Sequence, residues 1–95
     1  MKGVNDIMAA ELKDPAAAVA GWVDTNPLRR YRHEHQPRMT IAQAAALLEV
    51  SLVSIQKWEM GAGSPDESNM DKLSKLMGKE VIGQWTKWQE QRPQI

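Results

Sequence analysis

Two apolar stripes about three residues apart in the middle of the chain restrict its fold more than any other feature. Thr40 is a residue of the kind that caps a helix N-terminus. After it, Ile41, Ala44, Ala45 and Leu48 recur at i, i+3, i+4 and i+7, one face of an amphipathic helix. Ser51 is the next good cap. From it runs Leu52 to Met60, with Ile55 and Trp58 three apart on one face. A tight turn between helices that cross at a steep angle requires a small side chain where their axes approach. Ala45 supplies it, Val50 plugs the turn, and Ile55 with Trp58 holds the second helix against the rest.

The remainder of the chain is also punctuated for helices. No stretch shows sustained period-two alternation, and Val-Ile-Thr clusters are missing. Asn5-Asp6 caps a short helix through Lys13, and Asp14-Pro15 opens an Ala-rich segment to about Trp22. Asn26-Pro27 repeats that device and opens a basic helix from Leu28 to about Gln36, which Pro37 ends. Gly61 to Pro65 is a loop by composition. Asp66 or Ser68 starts a helix whose Met70, Leu73, Leu76 and Met77 form a stripe stopped by Gly78. A last segment from Glu80 to Gln91 carries Val81, Trp85 and Trp88. The expectation is an all-α chain, a compact bundle of five or six short helices. It divides into an N-terminal helical extension (1–26), a central domain (27–78) and a C-terminal helix or tail (79–95).

Ninety-five residues suit one domain. With no Phe and one Tyr, the core relies on Ala, Leu, Val, Ile and Met, anchored by four Trp. The absence of Cys excludes disulfides, thiolate zinc sites and cysteine catalysis. The longest apolar run, Ala16 to Val23, is far short of a membrane span, and Asp6 and Glu11 interrupt any secretory signal. A soluble protein of the cytoplasm, without a membrane partner, is expected. Net charge is zero, yet it is unevenly spread: residues 1–26 carry −2, residues 27–60 carry +2, and residues 61–95 balance.

His33 and His35, at i and i+2, do not share a helix face, so no metal is expected there. Glu34, Ser51 and Ser54 form no nucleophile–base–acid set with them, so neither an enzyme nor a cofactor is expected.

The string Leu28-Arg29-Arg30-Tyr31-Arg32, Met39-Thr40, Ala44-Ala45, Leu48, Val50-Ser51, Ile55, Trp58-Glu59 and Gly61, then Pro65, Leu73 and Leu76-Met77, resembles the lambda-repressor/Cro-like (XRE) helix-turn-helix domain. The resemblance covers about 28–78, roughly half the chain. It implies a DNA-binding regulator, repressor-like and of phage or bacterial type, whose second motif helix enters the major groove of double-stranded DNA. The base-reading positions it implies fall on Leu52, Val53, Gln56 and Lys57, opposite the inward Ile55 and Trp58. Gln56 can pair with adenine and Lys57 can reach guanine or a phosphate, whereas Leu52 and Val53 can only pack on thymine methyls. Thr40 and Ser51, at helix starts, suit phosphate oxygens. Arg38 beside the Thr40 cap is the expected backbone clamp, with Arg29 or Arg30 adding another. The resemblance also implies an Arg32–Glu59 bridge.

Departures from that pattern are specific. Ile41 stands where Gln is frequent, and Glu49 stands where Gly is favoured for a positive φ. Asp66 and Glu67 occupy a start that is often basic, and the Arg32–Met39 connection is about two residues long for the family. These features keep an alternative open: a helix-turn-helix adaptor that docks a protein through Leu52, Val53 and Met60 and does not bind DNA. Val81, Trp85 and Trp88 either pack back on their own domain or form a homodimer interface, and the Ala-rich N-terminal helix offers the same choice.

Overall fold

The computed structural model describes residues 15–93. Among them are six helices and no strand: α1 (Pro15–Asp24), α2 (Pro27–Glu34), α3 (Ile41–Leu48), α4 (Leu52–Met60), α5 (Glu67–Met77) and α6 (Glu80–Glu90). The helix expected from Asn5 through Lys13 lies outside the described residues.

Local chemistry sets most boundaries. Pro15 and Pro27 each take the first helical position, where the missing N–H has no intrahelical partner to lose. Asn26 accepts the Arg29 N–H and caps α2, and Asp66 does the same for α5 through the Asn69 N–H. Two ends differ from expectation. α1 runs on to Asp24, past Trp22. α2 stops at Glu34, short of Gln36, because His35 is already extended (ψ 142°) and the chain turns back so that the Met39 N–H reaches the Arg32 carbonyl at 2.9 Å. Pro37, which disfavours helical geometry in the residue before it, leaves α2 no route further.

Helices α3 and α4 end in the same way. Val50 N–H reaches back to the Ala45 carbonyl and Glu49 N–H to Ala46, while Ala62 N–H reaches Lys57 and Gly61 N–H reaches Trp58. Each is a Schellman termination, which requires one residue in the left-handed region. That residue is Gly61 (φ 74°) after α4 and Glu49 (φ 56°) after α3.

One core joins all six helices. Leu28, Ile55, Leu73 and Val81 are fully buried, with Ala45 and Leu48 of α3 beside them, and all four Trp are buried as well. Removing on the order of 150–250 Å² per indole from water is how so small a chain assembles a core without Phe. The indoles also connect its ends. Trp22 of α1 and Trp88 of α6 stack with centroids 4.0 Å apart and planes 5° from parallel. Each donates its ring N–H to the other's carbonyl, Trp22 Nε1 to Trp88 O at 2.7 Å and Trp88 Nε1 to Trp22 O at 2.8 Å. Trp85 meets Trp88 edge-on at 5.7 Å. Of the two readings open for Trp85 and Trp88, packing back on their own domain is the one found, and a homodimer interface through these indoles is corrected: both are spent inside their own chain, 1% and 2% exposed.

Candidate nucleic-acid interface

The α3–α4 pair is built so that α4 turns one face inward and presents the other. Ile55 and Trp58 are buried on the inner face. Ala44 and Ala45, both buried, let the helices approach closely. What remains outside is Leu52 (43% exposed), Val53 (53%), Gln56, Lys57 and, at the far end, Met60 (61%). The four expected base-reading residues thus lie together on solvent-facing surface that neither α1 nor α6 covers.

Each helix of the motif opens on a hydroxyl cap. Ser51 Oγ accepts the Ser54 N–H at 3.1 Å and lies 2.9 Å from Ser54 Oγ, so the cap is anchored by two contacts. Thr40 forms a complete capping box: its Oγ accepts the Gln43 N–H at 3.0 Å, and Gln43 Oε1 accepts the Thr40 N–H at 2.8 Å. Both caps are exposed. The first N–H groups of α3 and α4 project from these ends, where the helix dipole is positive and an anion is favoured.

One buried ion pair fixes how α2 and α4 meet. Arg32, 4% exposed, grips Glu59, 2% exposed, through Nε and Nη2, both at 2.7 Å. This is the bridge expected from the Arg32 and Glu59 positions, and it is bidentate. Arg32 also donates from Nη1 to the Met39 carbonyl at 3.1 Å. A single guanidinium thereby holds α2, α4 and the residue just before the α3 cap in one arrangement. Asn26, fully buried, adds a second tie by donating from Nδ2 to the Trp58 carbonyl at 3.4 Å.

The remaining arginines divide. Arg38 is exposed, two residues before the Thr40 cap, and its Nη2 lies 2.9 Å from Nε2 of His33. Arg29, expected as a further clamp, faces Asp24 at 3.4 Å and Glu59 at 4.0 Å, while Arg30 faces Glu34 at 3.5 Å. Both are set against carboxylates of their own chain. The acidic start of α5 is explained in part by Asp66, whose carboxylate is engaged in capping its own helix.

Three features were missed from the sequence, one of which carried a signal. Gln43 as the return half of the capping box was legible, since Thr40-x-x-Gln43 matches that pattern. The contact of Arg38 with His33 and that of Arg32 with Met39 had none, because both depend on how the 35–40 loop closes. Among the described residues, no group of three or more His, Cys, Asp or Glu is placed to hold a metal ion, and no helix is long and apolar enough to cross a membrane.

A family model described as helix-turn-helix matches residues 28–82, from the buried Leu28 at the start of α2 to the first turn of α6. No curated protein and no solved structure matches the chain.

Proposed function

Because the chain belongs to the helix-turn-helix family of the lambda-repressor/Cro-like type, a family of DNA-binding regulators, we propose that it is a repressor-like regulator that places α4 in the major groove of double-stranded DNA. Arg38, Thr40, Ser51 and Lys57 hold phosphates and set the register; Leu52, Val53 and Gln56 choose the sequence. The cytoplasm is the compartment this role requires.

The observation that carries the reading is the open outer face of α4. Its polar pair, Gln56 and Lys57, is exposed on the helix that the Ser51 cap opens, with Ile55 and Trp58 buried on its other face. Few basic residues surround it, so binding should release on the order of three to five counterions per monomer and show a shallow salt dependence.

Selection from a pool of random duplexes at low salt tests the proposal. An enriched site, in inverted repeat if two copies bind together, is the expected result. Failure to enrich any sequence favours the second reading, a protein-docking adaptor. One feature favours that reading: Leu52, Val53 and Met60 are three large apolar side chains exposed along a single helix.

A further inference from the structure

His33 stands outside every role assigned above, yet it contacts Arg38, the proposed backbone clamp two residues before the Thr40 cap. It is exposed near the C-terminal end of α2. Its Nε2 is 2.9 Å from Nη2 of Arg38. A guanidinium cannot accept a hydrogen bond, so Arg38 donates and His33 Nε2 accepts. The imidazole is therefore neutral, with its proton on Nδ1. The bond holds the Arg38 side chain along α2, at the approach to the Thr40 cap.

The charged groups around this imidazole are Arg29 and Arg32 from α2, Arg38 from the following loop, and Glu59 from α4. Asp24 of α1 enters only through its pairing with Arg29. Glu59 is already gripped by Arg32, so three cations against one engaged carboxylate leave the site with a local excess of positive charge. Partial desolvation, then the guanidinium groups of Arg38, Arg29 and Arg32, hold His33 below its ordinary 6.5, with Glu59 opposing them. An anion arriving between His33 and Arg38 reverses that balance.

We propose that His33 and Arg38 together form a proton-linked phosphate clamp, in which His33 takes up one proton from solvent as a DNA backbone phosphate enters between them. This deepens the DNA-binding reading and rests on it. The incoming proton goes to Nε2, which ends its role as acceptor and releases Arg38. Two donors then face the phosphate where one donor had faced an acceptor. The protein enters the complex with one more proton than it had free, so affinity must rise as pH falls. The rise begins near the value His33 takes in the complex and ends at its lowered value in the free protein. One linked proton changes affinity by at most about tenfold per pH unit.

The test uses the full chain and a fluorescent random-sequence duplex of about 20 base pairs, two helical turns. Ionic strength is low and held constant, so that phosphate contacts dominate. Between about pH 8 and pH 6 the wild-type affinity should rise roughly three- to tenfold. His33→Gln keeps an acceptor for Arg38 but cannot take up a proton, so it should bind with a flat pH profile. His35→Gln should retain the wild-type slope, since His35 contacts the Pro37 carbonyl through Nδ1 and makes no contact with Arg38. In nuclear magnetic resonance titrations, the His33 imidazole should titrate at higher pH with duplex than without it. Duplex binding whose slope is the same in wild type and His33→Gln overturns the clamp and leaves the DNA-binding reading standing. No duplex binding at any pH overturns both.

Discussion

Single side chains on this molecule do separable things, and Gln56 and Gly61 show the contrast. Gln56 is exposed and touches nothing that the fold needs, so its replacement should cost binding alone. On the duplex that the selection enriches, Gln56→Ala is expected to lose about 1–3 kcal/mol and to relax preference at one base pair. Equal losses on every sequence would contradict a reading role. Gly61 carries the opposite load. Its φ is +74°, and a methyl built on it meets the Trp22 ring, 2.7 Å from Cζ3. Gly61→Ala should therefore destabilise by more than the roughly 1–2 kcal/mol that a left-handed alanine costs alone. A denaturant titration reads this directly, and a loss smaller than that range would mean that the Trp22 ring yields easily.

At the level of helices, the turn between α3 and α4 is under avoidable strain. Both helices close with the same hydrogen-bond pattern, but only α4 does so on glycine; α3 uses Glu49 at φ 56°. Glu49→Gly should stabilise the fold by about 1 kcal/mol, the left-handed penalty less the extra freedom that glycine has when unfolded. It also removes a carboxylate from beside the proposed groove-facing surface, so duplex binding should strengthen in parallel. A thermal melt and a binding isotherm on one sample check the two effects. The left-handed position itself was legible through the resemblance, which favours Gly where Glu49 stands.

Across the whole molecule, the Arg32–Glu59 pair and the Trp22–Trp88 stack are long-range ties between helices. The Arg32–Glu59 pair is almost fully buried, so Arg32→Met should strand a carboxylate in the core. Losses of about 3–5 kcal/mol are typical of such a break. Arg29, 4.0 Å from Glu59, is placed to take over part of the pairing, and the low end of that range is expected. The second tie is the stacked pair of Trp22 and Trp88. Trp22→Phe keeps an aromatic ring but deletes one donor, leaving the Trp88 carbonyl without it. The Trp88 carbonyl keeps the Gln91 N–H at 3.2 Å, so the expected loss is that of one hydrogen bond, about 0.5–1.5 kcal/mol, together with the poorer fit of the smaller ring. Because the pair joins α1 to α6 and meets α4 at its C-terminal cap, Gly61, rather than on the outer face, duplex affinity of the folded variant should be unchanged. A change in affinity would show that α1 acts on the reading helix.

Helix positions, inward faces and the outward set Leu52, Val53, Gln56 and Lys57 were all readable before any coordinates. Caps, prolines and a 3.6-residue apolar period are local signals, and burying Ile55 and Trp58 leaves only one side of α4 for solvent. Which group meets which across the fold was not readable. An apolar stripe states that a face is buried without stating against what, so Trp85 and Trp88, read first as core, left a dimer surface open. Only packing decided for core, by bringing Trp88 against Trp22 from 66 residues away. The same holds for Arg32 with the Met39 carbonyl and Arg38 with His33, whose meetings depend on the path of a loop that carries no periodicity. Local order was written in residue types at fixed spacing, whereas the partners were set by which surfaces could close together with their buried polar groups paired, Ser74 Oγ and Trp85 Nε1 being the exceptions among the described residues.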